Sequence, residues 1–186
     1  MKRVCEKLES LDQNSLVVFD VDNVLISRDL HYRELRNLTR EDKRYLQMDR
    51  AKKFKISSIH YSNTKSFLVD MKTPKLIKLL QEKNIKVIAL TNCYIGSNSI
   101  IGSCEDWRIN DLKNIGIDFS VSFSEHKFIA FEKISLENLT PIFKNGILFA
   151  AGVPKGDVLQ AFLEYINWKP NYTIFIDDKI DFLQSF

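Results

Sequence analysis

Short apolar runs that end in polar clusters alternate along this chain with longer stretches of helical spacing. The first run, Leu16 to Phe19, is rich in valine, lacks polar alternation and leads straight into Asp20-Val21-Asp22-Asn23-Val24. That pattern predicts a strand over 15–20, buried on both faces of a parallel sheet. Thr73-Pro74 opens a helix with Leu76, Ile77, Leu79 and Leu80 as its inner stripe, closing at Lys83-Asn84. A second buried strand over 85–90 stops at Thr91-Asn92. A helix between two such strands makes a βαβ unit with a right-handed crossover.

The second half continues the pattern. Gly96 to Gly102 reads as a turn, and Ser103 with Asp106 resembles a capping box for a helix carrying Trp107, Leu112 and Ile115. Gly116 stops that helix. Ile117, Phe119, Val121 and Phe123 alternate as a third strand over 117–123. Asn145-Gly146 predicts a hairpin turn between strands at 142–144 and 147–150. Residues 152–157 open a helix with Val158, Leu159, Phe162, Leu163 and Ile166 inward. A fourth strand over 172–176 then runs into Asp177-Asp178-Lys179-Ile180-Asp181.

Two segments stand apart from this alternation. Residues 1–14 read as a polar arm. From Arg28 to Lys55, ten basic residues meet only five acids, while Tyr32, Leu35, Leu38, Tyr45 and Leu46 are loosely spaced like a helical stripe. This predicts one or two helices of an insertion. Its basic face is either simply solvated or a lid whose cations attract an anionic substrate.

Composition narrows the field. With 186 residues, 45% hydrophobic and 27% charged, the chain suits one globular core with a modest insertion. A net charge of +3 is too small to point to nucleic acid. No apolar run approaches membrane-spanning length, and Met1-Lys2-Arg3 leads into charged residues, so a cytoplasmic location is expected. Cys5, Cys93 and Cys104 show no Cys-x-x-Cys spacing and read as reduced thiols, with neither a disulfide framework nor a zinc site. His31, His60 and His126 are isolated and lack ligand spacing.

Four polar clusters remain: Asp20 with Asp22, Thr91 with Asn92, Lys155, and Asp177 with Asp178 and Asp181. Each has an ordinary explanation taken alone. Aspartates after a strand cap turns, Thr91 and Asn92 do the same, Asp181 solvates a final turn, and a lysine at a helix start faces water. Together they fall at the carboxyl ends of parallel strands and at one helix start, which share one edge of the sheet. Phosphoryl transfer needs such parts. One carboxylate attacks phosphorus, a second acid moves protons, a hard cation offsets charge, and a hydroxyl, an amide and an ammonium hold the free oxygens.

In these motifs the chain resembles the haloacid dehalogenase (HAD) superfamily. Asp20-Val21-Asp22-Asn23-Val24 is similar to its first motif, Thr91 to the second, Lys155 to the third, and Asp177-Asp178 to the acidic fourth. Asp177 and Asp181 also fit an Asp-x-x-x-Asp variant of that motif. Residues 146–149 leading to 154–159 resemble a poorly characterised bacterial subgroup of unknown function. The resemblance implies Asp20 as nucleophile and Asp22 as general acid/base, which favours a phosphatase. It also implies Thr91, Asn92 and Lys155 on the phosphoryl group, and Mg²⁺ held by Asp20, Asp177 and the backbone carbonyl of Asp22. Asp178 or Asp181 would then assist from behind.

The expected fold is a three-layer α/β, HAD-like Rossmannoid core over 15–186, with a parallel sheet in the order 4-1-2-3. A cap-like insertion is expected at 28–71 and a β-hairpin insertion at 124–151. The chain ends five residues after Asp181, where superfamily members continue, so the 172–176 strand is expected as an exposed edge. The expected activity is Mg²⁺-dependent hydrolysis of a small phosphomonoester through an aspartyl-phosphate. The alternative is a catalytically weak HAD-like protein whose insertions bind a partner. A phospho-accepting receiver domain fits less well, because there the acidic residues all precede the threonine.

Overall fold

The computed structural model describes residues 11–28, 34, 37, 39, 41–136 and 139–179. Most of the arm, Cys5, His31, much of the basic stripe and Asp181 lie outside the described residues. Strand β1 spans Ser15–Phe19 and β2 spans Ile26–Arg28; helices α1 (Lys43–Leu46) and α2 (Arg50–Ser62) follow, then β3 (Ser66–Leu68). Next come α3 (Thr73–Glu82), β4 (Lys86–Thr91), α4 (Cys104–Asn114) and β5 (Phe128–Ala130). A hairpin of β6 (Ile142–Lys144) and β7 (Ile147–Phe149), helix α5 (Lys155–Tyr165) and β8 (Tyr172–Ile176) complete the described fold.

Six strands form one mixed sheet in the order β5-β6-β7-β4-β1-β8, and β2 with β3 makes a separate antiparallel pair. The β8-β1, β1-β4 and β4-β7 pairs are parallel, whereas β5-β6 and β6-β7 are antiparallel. Alternate residues of the central strands enter opposite cores, as the period of two requires. Val17, Phe19, Val87 and Ala89 join Ile77 and Leu80 of α3 and Ile109 and Leu112 of α4. Leu16, Val18, Ile88 and Leu90 join Val158, Leu159 and Phe162 of α5. Helices therefore cover both faces, which is why β1 reads as unbroken apolar sequence. No helix of the described residues is long and apolar enough to cross a membrane.

The helix starts follow local chemistry. Asp42 and Asp49 cap α1 and α2 by accepting from the backbone N–H groups of Arg44 and Lys52, and Ser103 accepts from Asp106 at the start of α4. Pro74 sits in the first turn of α3, where it sacrifices no helical hydrogen bond.

Two expectations need correction. Residues 117–123 form no strand: Ile117, Phe119 and Phe123 are buried and Val121 is 61% exposed, but the segment runs as a loop. Its apolar residues anchor a connection to the core, and such anchors alternate much as a strand does. Ser122 Oγ even accepts from Val87 N–H at 3.0 Å, satisfying the amide of β4 that lies below the reach of β7. The neighbour of β4 is instead β7, paired through Ala89↔Ile147, Leu90↔Leu148 and Thr91↔Phe149. The 124–151 segment, expected as an inserted hairpin, thus supplies three strands to the main sheet.

The hairpin turn falls at Asn145 (φ 48°) and Gly146 (φ 81°), both positive as a type I′ turn requires. A Cβ at Gly146 would lie 2.1 Å from the carbonyl oxygen of Phe119, so a side chain is excluded by backbone as well as by φ. Gly146→Ala should therefore cost about 3 kcal/mol, read as a lower denaturation midpoint at unchanged slope. A midpoint within error of the parent would show that the 117–123 loop yields freely.

Candidate functional site

The site begins where β1 and β8 end together. Phe19 pairs with Ile176, and Asp20 N–H continues the ladder by donating to the Ile176 carbonyl at 2.8 Å. The next residues on the two strands, Asp20 and Asp177, are thereby set side by side. Lys155, the first residue of α5, donates through Nζ to Asp20 Oδ1 at 2.7 Å and to Asp177 Oδ2 at 2.6 Å. All three side chains are buried.

The Asp20 carboxyl is raised from 3.8 to about 6: burial pushes it up most, the Lys155 charge and hydrogen bond pull it down, and the neighbouring Asp177 charge pushes it up. Carboxylate oxygens of Asp20, Asp177 and Asp178 all lie within 4.8 Å of one another. Three hard oxygen donors against one ammonium is a donor set that fits Mg²⁺. Asp178 is exposed and its Oδ2 accepts from Asn23 Nδ2 at 3.2 Å.

Thr91 closes β4 on the same edge. Its hydroxyl is buried and has no hydrogen-bond partner among the described residues, a costly state for a polar group unless a ligand completes it. Asn92 behaves differently: its Oδ1 accepts from Gly152 N–H at 2.7 Å and ties the end of β4 to the loop that precedes α5.

Asp22 points elsewhere. Its carboxylate accepts from Arg108 Nη2 at 3.1 and 3.3 Å, and it is not one of the three converging carboxylates. Arg108, on α4, is fully buried. Its guanidinium lies 5.2 Å from the Trp107 ring centre and 3.6 Å from Asp111 Oδ2, which also receives Ser66 Oγ at 2.8 Å and Arg28 Nη2 at 3.4 Å. The backbone that follows Asp22 is thus moored to the β2-β3 pair through Arg108 and Asp111.

The sequence reading missed Arg108. A signal was present: Cys104, Arg108 and Leu112 are four apart on the buried stripe of α4, and an unpaired arginine is rarely tolerated there. Cys93, directly after Asn92, is buried with its sulfur 3.5 Å from that of Cys104. The hydrogen bond between them lowers the Cys93 thiol and raises that of Cys104.

Comparison with known proteins brings in relatives but no activity. An uncharacterized protein of Rickettsia bellii is 27% identical over 189 residues, covering 94% of this chain and 63% of its own length. Uncharacterized protein RP295 of Rickettsia prowazekii is 33% identical over 114 residues, covering 60% of this chain and 38% of its own. The chain therefore spans less than two thirds of the length of the curated relatives it matches. No solved structure matches it. One family described as a protein of unknown function, DUF2608, matches residues 1–186, and the chain belongs to that family.

Proposed function

We propose that the chain is a Mg²⁺-dependent phosphomonoester hydrolase of the HAD type, acting on a small phosphorylated molecule through an aspartyl-phosphate on Asp20. One observation carries the reading: a buried aspartate at a strand end, hydrogen-bonded to a buried lysine, beside a second carboxylate, on the sheet edge that also holds the unpartnered Thr91 hydroxyl. The parallel run β8-β1-β4-β7 is compatible with a Rossmannoid core of that superfamily.

The chain's own residues would act as follows. Thr91 Oγ1 and Lys155 Nζ bind the non-bridging phosphoryl oxygens. An Asp20 oxygen attacks phosphorus, the bond to the leaving oxygen breaks, and Asp22 delivers the proton that the leaving oxygen takes up. Asp22 then removes a proton from water as that water attacks the phosphorus, releasing inorganic phosphate and restoring the Asp20 carboxylate. In the structure the Asp22 carboxylate is turned onto Arg108, so in this mechanism it leaves that pair to reach the leaving oxygen. Asp20, Asp177 and Asp178 would hold Mg²⁺, which when bound offsets the negative charge of the phosphoryl group.

The test is hydrolysis of p-nitrophenyl phosphate with Mg²⁺ and with a chelator. Metal-dependent turnover supports the reading; a folded protein inactive in both overturns it and favours the binding-protein alternative. Asp22→Asn sharpens the result. An activated aryl phosphate needs little protonation to leave, so this variant should form the phosphoprotein and then stall, gaining the mass of one phosphoryl group. Parent-rate turnover of activated and unactivated esters alike would remove Asp22 from the acid/base role.

A further inference from the structure

Three arginines of the described insertion and of α4 turn inward, and two of them meet carboxylates. Arg28 and Arg108 both reach Asp111, and Arg108 also reaches Asp22. Arg50, the first residue of α2, has no acidic partner among the described residues. Its Nη2 donates to the Ala151 carbonyl at 2.8 Å, and its guanidinium lies 5.4 Å from the Tyr94 ring centre, which is itself stacked on Phe54. A carbonyl and a ring hold the side chain in place, and no carboxylate among the described residues compensates its charge.

Arg50 lines a cavity of about 260 Å³, together with Tyr45, His60, Tyr61, Asn92 and Tyr94. Among the described residues no carboxylate lines that cavity. Its inner wall is Asn92, the residue after Thr91, held there by the amide of Gly152. Asp20, Lys155 and Asp177 do not line it. The cavity therefore adjoins the end of β4 and is separate from the carboxylate cluster. It falls below the roughly 300–1,000 Å³ typical of drug-sized ligands, which suits one ring or a short chain and is too small for a dinucleotide. Three tyrosine rings in the wall favour a flat occupant.

We propose that this cavity takes the leaving group of the phosphomonoester, and that the leaving group is small and carries its own oxyanion, a carboxylate or a second phosphate, paired with Arg50. The planar guanidinium fork matches either group. This rests on the phosphatase reading only for the term leaving group; the anion subsite is a statement about binding. The basic insertion then has a specific task, with Arg50 facing the cavity while Arg44 and Lys52 face solvent.

The test uses three matched esters: 4-carboxyphenyl phosphate, 4-carbamoylphenyl phosphate and 1,4-phenylene bisphosphate. Their binding is measured by calorimetry on Asp20→Asn, which cannot turn them over, and their hydrolysis on the parent protein. The carboxylate or the bisphosphate should bind at least tenfold more tightly than the neutral carbamoyl ester, and whichever does so identifies the oxyanion. In the Arg50→Met background that ratio should fall to about one, and Arg50→Lys, which keeps the charge without the fork, should restore part of it. Equal affinity for all three esters overturns the subsite, as does a ratio that survives in Arg50→Met. A clear ratio with no hydrolysis by the parent protein keeps the subsite and removes the phosphatase reading. Hydrolysis of all three at one rate, with one affinity, does the reverse.

Discussion

Asp20→Asn should abolish turnover and, in metal-free buffer near neutral pH, raise the melting temperature. The first effect follows from the proposed chemistry, since an amide neither attacks phosphorus nor serves as a charged metal ligand. The second follows from burial. The Asp20 carboxyl is raised from 3.8 to about 6, with desolvation the largest cause. The folded protein therefore holds this proton more tightly than the unfolded chain. Well below pH 3.8 both states are protonated and the carboxyl costs nothing. As pH rises from about 4 to 6 the unfolded chain ionises first, and stability is lost. Above that window the folded protein carries the whole cost, on the order of 3 kcal/mol.

Asparagine has no charge to bury. The gain in the variant should be near zero at pH 4 and largest above pH 6.5. Mg²⁺ should narrow the gap by stabilising the parent through mass action. A variant less stable than the parent at pH 7.5 would contradict the burial argument. Retained activity within about tenfold, or ~1.4 kcal/mol in the barrier, would remove Asp20 as nucleophile.

Lys155→Met should have the opposite effect on stability and the same effect on activity. Methionine keeps much of the buried stem, so the change mainly removes the ammonium that Asp20 and Asp177 share at 2.7 and 2.6 Å. Two buried carboxylates then face each other without that cation. Breaking a buried pair from one side typically costs about 3–5 kcal/mol, and the loss should appear in chelator at pH 8. At pH 5 it should shrink, because Asp20 then carries a proton in the folded state. Mg²⁺ should recover much of the stability by supplying charge to the same carboxylates, while activity stays at least about 100-fold down for want of the phosphoryl-binding ammonium. Differential scanning fluorimetry across the two pH values, with and without Mg²⁺, reads every part of this. A melting temperature indifferent to both substitution and metal would mean that the cluster is not electrostatically coupled.

Much of this architecture was legible in one dimension because local physics wrote it there. The run Leu16–Phe19 is unbroken apolar because β1 is covered on both faces, and Pro74, Ser103 and Asn145-Gly146 sit where backbone geometry or a free N–H demands them. Asp20, Thr91 and Asp177 could be grouped because parallel strands bring their carboxyl ends to one edge whatever their distance along the chain. Segment 117–123 misled because a period of two reports burial on alternate residues, and a loop anchored by Ile117, Phe119 and Phe123 is buried in the same way as a strand. Strand pairing depends on which segment the connecting turns set alongside β4, and the tight turn at Gly146 sets β7 there.

Arg108 and Arg50 belong to the same class of undetermined features. Charge on a helix says nothing about which carboxylate, carbonyl or ring it will meet. Arg108 found Asp22 from 86 residues away, and Arg50 found Ala151 from 101. Such pairings are set by how α2 and α4 settle against the sheet, a result of packing side chains from the whole chain into one volume. No window of sequence contains it.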